Sequence, residues 1–385
     1  MQTTEEKMHK KIVKEQNKRK HLEKIGKRNQ EPNLLAISNA ADNYYVLIKL
    51  KTYCAYLSYK NIINVEKIPY KESDFKLMKN IIEEIEKGAF QHPMIHIYNQ
   101  IRLLYQDKAV NFEELIQSIQ QLTPKLNEDE GLEIYSFLSN IGIKRLNKGE
   151  KSFLKTTFEV YNNMLTLLER NTRKKTVLPT GMFKNIVSIA LYLKEDELFY
   201  QLKTASLKSP TKTEGFKDAF EWITQFIEVY QKKIDKKTAE TYLDYSKALL
   251  AFHQEKYGIA YHHLQKNLNT HGLFINMDYK ILYLKTVYEM KQSRSEDITT
   301  KEINLTIDSY RKLLEYEKNE VQKMNYQQLY YYTFYQVFKQ LDSTSYSHKN
   351  IQEKQKLKQS IEDIPDFYPF KSWFLEKYQL LQQKK

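Results

Sequence analysis

Glycine and proline are scarce in this chain: nine and eight among 385 residues, under half the roughly 12% that average usage supplies. Tight strand-to-strand turns depend on both, so the shortage disfavours an all-β fold. The glycines are also scattered. Gly142 and Gly149, the closest pair, fit neither G-x-G-x-x-G nor the phosphate-loop spacing, which disfavours a nucleotide-binding α/β fold. Cysteine is nearly absent. A lone Cys54 forms no internal disulfide and no multi-thiolate metal site, so disulfide scaffolds, zinc ribbons and iron–sulfur clusters are excluded and a reducing, cytoplasmic setting is expected. Long apolar runs are missing too. No window reaches the 18 or so residues of a spanning helix, and the start MQTTEEKMHKKIVKEQNKRK has no apolar leader segment, so no membrane insertion is expected.

Hydrophobic residues at 41% and aromatics at 13% supply a core and argue against wholesale disorder. Lys, Glu, Gln and Leu, which keep most of their rotamer freedom in a helix, are plentiful. The expected fold class is all-α. Periodicity agrees: Tyr242, Tyr245, Leu249 and Phe252 follow one helical stripe, and Tyr257, Ala260, Tyr261, Leu264 and Leu268 follow a second across the polar break HQEK. Ala248 and Ala260 stand where two antiparallel helices would approach most closely. This hairpin resembles a tetratricopeptide unit, with Ala260 in the place of the small residue of its second helix, although the first helix lacks the Trp and Gly of that pattern and no Pro closes the unit. Further pairs of helical segments begin near Met94, Gly131, Lys184 and Tyr279, each about 30–45 residues long, the range of helical-repeat solenoids. The spacing predicts a degenerate tetratricopeptide-like α-α superhelix, with a basic N-terminal helix over 1–30 and one continuous helical-repeat array over 31–385. The segment 61–68, NIINVEKI, is expected to be a linker or a helix end.

Three segments in fixed order carry a family resemblance: Tyr44, Tyr45, Lys49, Leu50 and Cys54; then Asn140, Ile143, Asn147, Gly149 and Glu150; then Phe183 to Val187. In these the chain resembles a family of uncharacterised bacterial tetratricopeptide-like helical-repeat proteins, over roughly residues 25 to 235. The resemblance implies a superhelix with no assigned chemistry, and a chain that lacks the N-terminal part of that family.

No catalytic, cofactor or metal constellation emerges. His92 and His96 are four apart, but Pro93 between them suits the first position of a helix and leaves His92 outside it. His253 faces His262 and His263 across a predicted turn, with no carboxylate or thiol at ligand spacing. Cys54 sits among Tyr53, Tyr56 and Leu57 and reads as a small core hydrophobe. The acidic runs at 127–131 and 194–198 fall at expected helix starts, where they meet the positive end of the dipole.

Charge points outward. The net charge is +13, and residues 1–28 hold ten Lys and Arg against four Glu. Lys7, Lys11, Lys14 and Lys18 follow one helical track and form a candidate basic ridge for phosphates. Tyrosines number 30. In NYQQLYYYTFYQVFKQL the residues Tyr326, Tyr330, Phe334 and Phe338 make one stripe, widened by Tyr331 and Tyr335, which are either core or the aromatic lining of a groove; Tyr44 and Tyr45 offer the same choice. The functional expectation is a non-enzymatic scaffold that binds a protein or peptide partner, without cofactor. The alternative is an accessory nucleic-acid-binding factor that uses the basic N-terminal helix.

Overall fold

A computed structural model describes residues 2–26, 33–62, 69, 71–170, 177–193, 219–234, 239–266, 273–293, 300–320, 326–346, 351–366, 368 and 370–383. It is 85% helix. Among the described residues there is no β-strand, only one isolated parallel bridge between Leu178 and Ile234, in which the Leu178 N–H donates to the Lys233 carbonyl at 2.7 Å. Segment 63–68 and the second helix expected after Lys184, at 197–205, lie outside the described residues.

The chain divides into two compact units, residues 1–144 with 159–171 and residues 145–158 with 172–385. The first unit begins with α1 (Thr4–Lys24), α2 (Leu34–Ile62), α3 (Met78–Glu86), α4 (Pro93–Tyr105) and α5 (Phe112–Leu122). Helix α6 (Glu128–Asn147) and α7 (Phe153–Arg170) complete it and carry the chain across the division.

Local sequence explains these helix starts. Helix α1 opens with a capping box, in which Thr3 Oγ1 accepts from the Glu6 N–H at 3.1 Å and Glu6 Oε2 accepts from the Thr3 N–H at 2.9 Å. Helix α4 has His92 as its cap and Pro93 at the first position, as the spacing predicts, and α5 is capped by Asn111. Gly149 turns the chain between α6 and α7 at φ +92°, a conformation that costs a residue with a Cβ.

In this unit α2 is the central helix and packs against α1, α3 and α4. Leu47, Leu50 and Cys54 are fully buried on it, opposite Ile95, Tyr98 and Ile101 of α4. Helix α1 belongs to this packing. Thr4 and Met8 are buried, the Thr4 N–H donates to Glu130 Oε1 at 2.6 Å, and Lys51 lies between Glu5 at 2.5 Å and Glu133 at 2.9 Å.

The second unit contains α8 (Thr180–Leu193), α9 (Ala219–Tyr230), α10 (Ala239–His253), α11 (Tyr257–Gln265), α12 (Leu273–Gln292), α13 (Thr300–Glu320), α14 (Tyr326–Tyr346), α15 (Ile351–Glu362) and α16 (Lys371–Gln383). From α10 to α16 each helix packs on the next, and α8 with α10, α10 with α12, α12 with α14 and α14 with α16 also touch. Helix α12 is thus covered on several sides, which explains why it has no polar face: 275, 277 and 279–284 are all buried. Ala248 and Ala260 are fully buried in the common core with Tyr245, Phe252, Tyr261 and Leu264, as the two-stripe hairpin predicts. Leu268 lies outside the described residues.

Candidate functional site

Polar chemistry in the second unit gathers where α8, α10, α12 and α14 meet. Helix α8 is apolar around most of its circumference, with Phe183, Ile186, Val187, Ala190 and Leu193 fully buried. Along the whole helix one stripe escapes burial, Gly181, Lys184, Ser188 and Tyr192 at steps of three or four residues, while Thr180, Met182 and Asn185 are half-buried in its first turns. Lys184 Nζ forms an ion pair with Asp278 Oδ2 of α12, and both side chains stay partly accessible, at 20% and 13%. Tyr331 of α14 donates its hydroxyl to Asp278 Oδ1 at 2.8 Å. The Lys184 ammonium also stands 5.9 Å from the Tyr245 ring centre, within cation–π range.

Tyrosines enclose this pair. Burial pushes the phenols of Tyr245, Tyr310, Tyr330 and Tyr331 well above their ordinary range, and the Asp278 carboxylate adds to the effect at each. They are therefore neutral donors across the physiological range, and a partly accessible Lys–Asp pair sits among rings that have no charge of their own. Tyr279, also fully buried, donates to the Thr241 carbonyl at 2.8 Å. Tyr192 is 39% exposed and lies close enough to influence Tyr245 and Tyr330.

The structure separates the two candidate groove aromatics. Tyr331 is 4% exposed with its hydroxyl on Asp278, whereas Tyr335 is 7% exposed and packs its ring 6.0 Å from Tyr310. Both are buried in the core, and only Tyr331 reaches the ion pair. The Tyr326 side chain lies outside the described residues. Tyr45 is 42% exposed beneath Lys49 Nζ at 5.4 Å, and Tyr44 is half-buried, its ring 5.9 Å from that of His9.

Lys7, Lys11, Lys14 and Lys18 are all exposed on α1. Lys7 Nζ donates to the Lys125 carbonyl at 3.1 Å, and Lys11 lies near His92, whose imidazole pKa is lowered first by burial and then by that lysine.

His263 meets a carboxylate that sequence spacing does not reveal: Asp244, on the preceding helix, lies 3.0 Å from Nδ1. His253 and His262 are not part of a ligand set. Among the described residues no three His, Cys, Asp or Glu side chains are placed to hold a metal ion. Cys54 is fully buried with its thiol on the Tyr98 carbonyl at 3.3 Å, and burial raises its pKa far from the thiolate range. No helix of the described residues is long and apolar enough to cross a membrane.

Lys184 and Asp278 had a sequence signal, though a weak one. Each breaks an otherwise apolar run, NIVSIALYL after Lys184 and LFINM before Asp278, and a charge within such a run needs a partner. Nothing in the linear sequence says that the two, 94 residues apart, are partners of each other. Comparison with protein-family models, with curated proteins and with solved structures gives no match for this chain.

Proposed function

We propose that this protein is a non-enzymatic helical-repeat scaffold that binds a protein or peptide segment on its second unit, at the face carrying Lys184, Ser188 and Tyr192. The observation that carries the reading is the Lys184–Asp278 pair. It is half-sheltered, held in place by the Tyr331 hydroxyl, and surrounded by neutral phenols. Such a pair retains N–H donors and carboxylate lone pairs for the carbonyls and amides of an incoming chain. Tyrosine supplies rigid contact area with a polar tip, the chemistry enriched at protein interfaces. The reading takes the helical array to be a tetratricopeptide-like superhelix, in which every second helix lines one face. Packing of α8, α10, α12 and α14 on one another as well as on their sequence neighbours is what that arrangement requires.

The test is site-specific photo-crosslinking in the native host. A photoreactive residue replacing Ser188 should capture a discrete partner, and the same residue replacing the exposed Lys339 on α14 should not. No captured species at Ser188, or the same species at both positions, would refute the reading.

A further inference from the structure

We propose that the outward face of α1 binds the phosphate backbone of double-stranded nucleic acid, through a lysine stripe that shares only Lys14 with the ridge that spacing alone suggests. The helix has an unambiguous inner side. Thr4 and Met8 are buried, and Glu5, Ile12, Glu15, Leu22 and Glu23 are half-buried. At 100° per residue, Lys7, Lys11 and Lys18 flank that inner side, roughly 60–100° from its centre. Lys7 is tied to the Lys125 carbonyl.

The side turned fully away carries Lys10, Lys14, His21 and Lys24, with Lys20 beside them, all exposed. This stripe is turned by roughly 65° from the Lys7–Lys18 track.

The acidic residues of α1 do not neutralise it. Glu5 pairs with Lys51, Glu6 closes the capping box, Glu15 accepts from Asn33 Nδ2 at 3.0 Å, and Glu23 pairs with Arg19 at 3.2 Å. Among the described residues no carboxylate pairs with Lys10, Lys14, Lys20 or Lys24. The four carboxylates are therefore spent inside the unit, and the ammonium groups are left to solvent.

The dimensions suit a duplex. From Lys10 to Lys24 the helix rises about 21 Å, which matches about six phosphates of one strand at 3.4 Å each along the axis. This face offers little for base reading: its one ring is the His21 imidazole and its one amide is Asn17. Insertion into a membrane is disfavoured, since Met8, Ile12 and Leu22 turn inward and only Val13 and Ile25 are exposed apolar residues of the segment.

The experiment measures binding of the full chain to a labelled duplex of about 20 base pairs, of arbitrary sequence, by fluorescence anisotropy. Three to four phosphate contacts predict a log–log salt slope of about −2.7 to −3.6, a loss of about 40- to 150-fold between 50 and 200 mM salt. Lys10→Glu, Lys14→Glu and Lys24→Glu together should weaken binding at about 50 mM salt by more than tenfold and flatten the slope. A matched control, Lys312→Glu, Lys339→Glu and Lys356→Glu on exposed positions of the second unit, should change it by less than about threefold. Circular dichroism confirms that both variants fold. Equal losses in the two variants, or an unaffected α1 variant, would overturn the proposal. So would the absence of duplex binding beside retention on vesicles of phosphatidylcholine and phosphatidylserine, which would assign the stripe to an anionic membrane surface.

Discussion

Tyr331→Phe removes one oxygen and leaves the ring in place, which makes it the sharpest probe of the Lys184–Asp278 site. The hydroxyl donates to Asp278 Oδ1 at 2.8 Å from a residue that is 4% exposed. A hydrogen bond to a charged acceptor contributes about 1.5–3 kcal/mol net. Asp278 keeps Lys184 as a partner after the substitution and is itself 13% accessible, so water can replace part of the loss and the lower end, about 1.5 kcal/mol, is the expected destabilisation. For a unit of this size that lowers the thermal midpoint by about 3–6 °C. Tyr335→Phe is the internal control: that ring packs against Tyr310 and its hydroxyl makes no hydrogen bond among the described residues, so its midpoint should move by less than about 1 °C. Thermal unfolding followed by circular dichroism measures both shifts, and urea unfolding gives the corresponding free energies. Equal effects of the two substitutions would refute the claim that Tyr331 is anchored on Asp278.

Three further outcomes follow from packing and burial. Ala260→Leu forces a larger side chain into a fully buried helix crossing and should cost about 1–3 kcal/mol in urea unfolding, and an unchanged midpoint would show the α10–α11 hairpin to be misregistered. Gly258→Ala should stabilise by about 0.4–1 kcal/mol, because an added Cβ meets nothing within 4 Å, and a loss would mean that the first turn of α11 is not helical. Lys280 is 3% exposed, its ammonium on Ser309 Oγ at 2.8 Å, and burial lowers its pKa. The folded chain then binds fewer protons than the unfolded one between that lowered value and about 10.4, so the penalty is complete below the lowered value and fades as pH rises through the window. Lys280→Met should accordingly be more stable than wild type at pH 7 by about 1 kcal/mol, with the advantage shrinking toward alkaline pH, and a destabilised variant at pH 7 would contradict the reading.

The helical class was legible because it rests on local chemistry. Scarce glycine and proline, the His92–Pro93 start of α4 and the two stripes at 242–264 depend on neighbours within a few residues, and the structure places helices there. Cys54 was legible for the same reason, standing among Tyr53, Tyr56 and Leu57 on one helix. The site was not. Lys184 and Asp278 meet only because α8 and α12 are brought together across α10, and Asp244 reaches His263 only because a hairpin folds back. Helical arithmetic located the basic track on α1 but not its inner side, which is set by Glu130, Lys51 and Tyr44.

Equilibrium binding by calorimetry, of the segment that crosslinks at Ser188, tests the account most directly. The segment would be titrated into wild-type protein, into Ser188→Arg, which blocks the partly exposed α8 face one turn beyond Lys184, and into the triple α1 variant. The scaffold reading predicts a loss of more than about tenfold for Ser188→Arg, equivalent to about 1.4 kcal/mol, and no more than about a twofold change for the α1 variant. Unchanged affinity in Ser188→Arg, or a loss confined to the α1 variant, would contradict it.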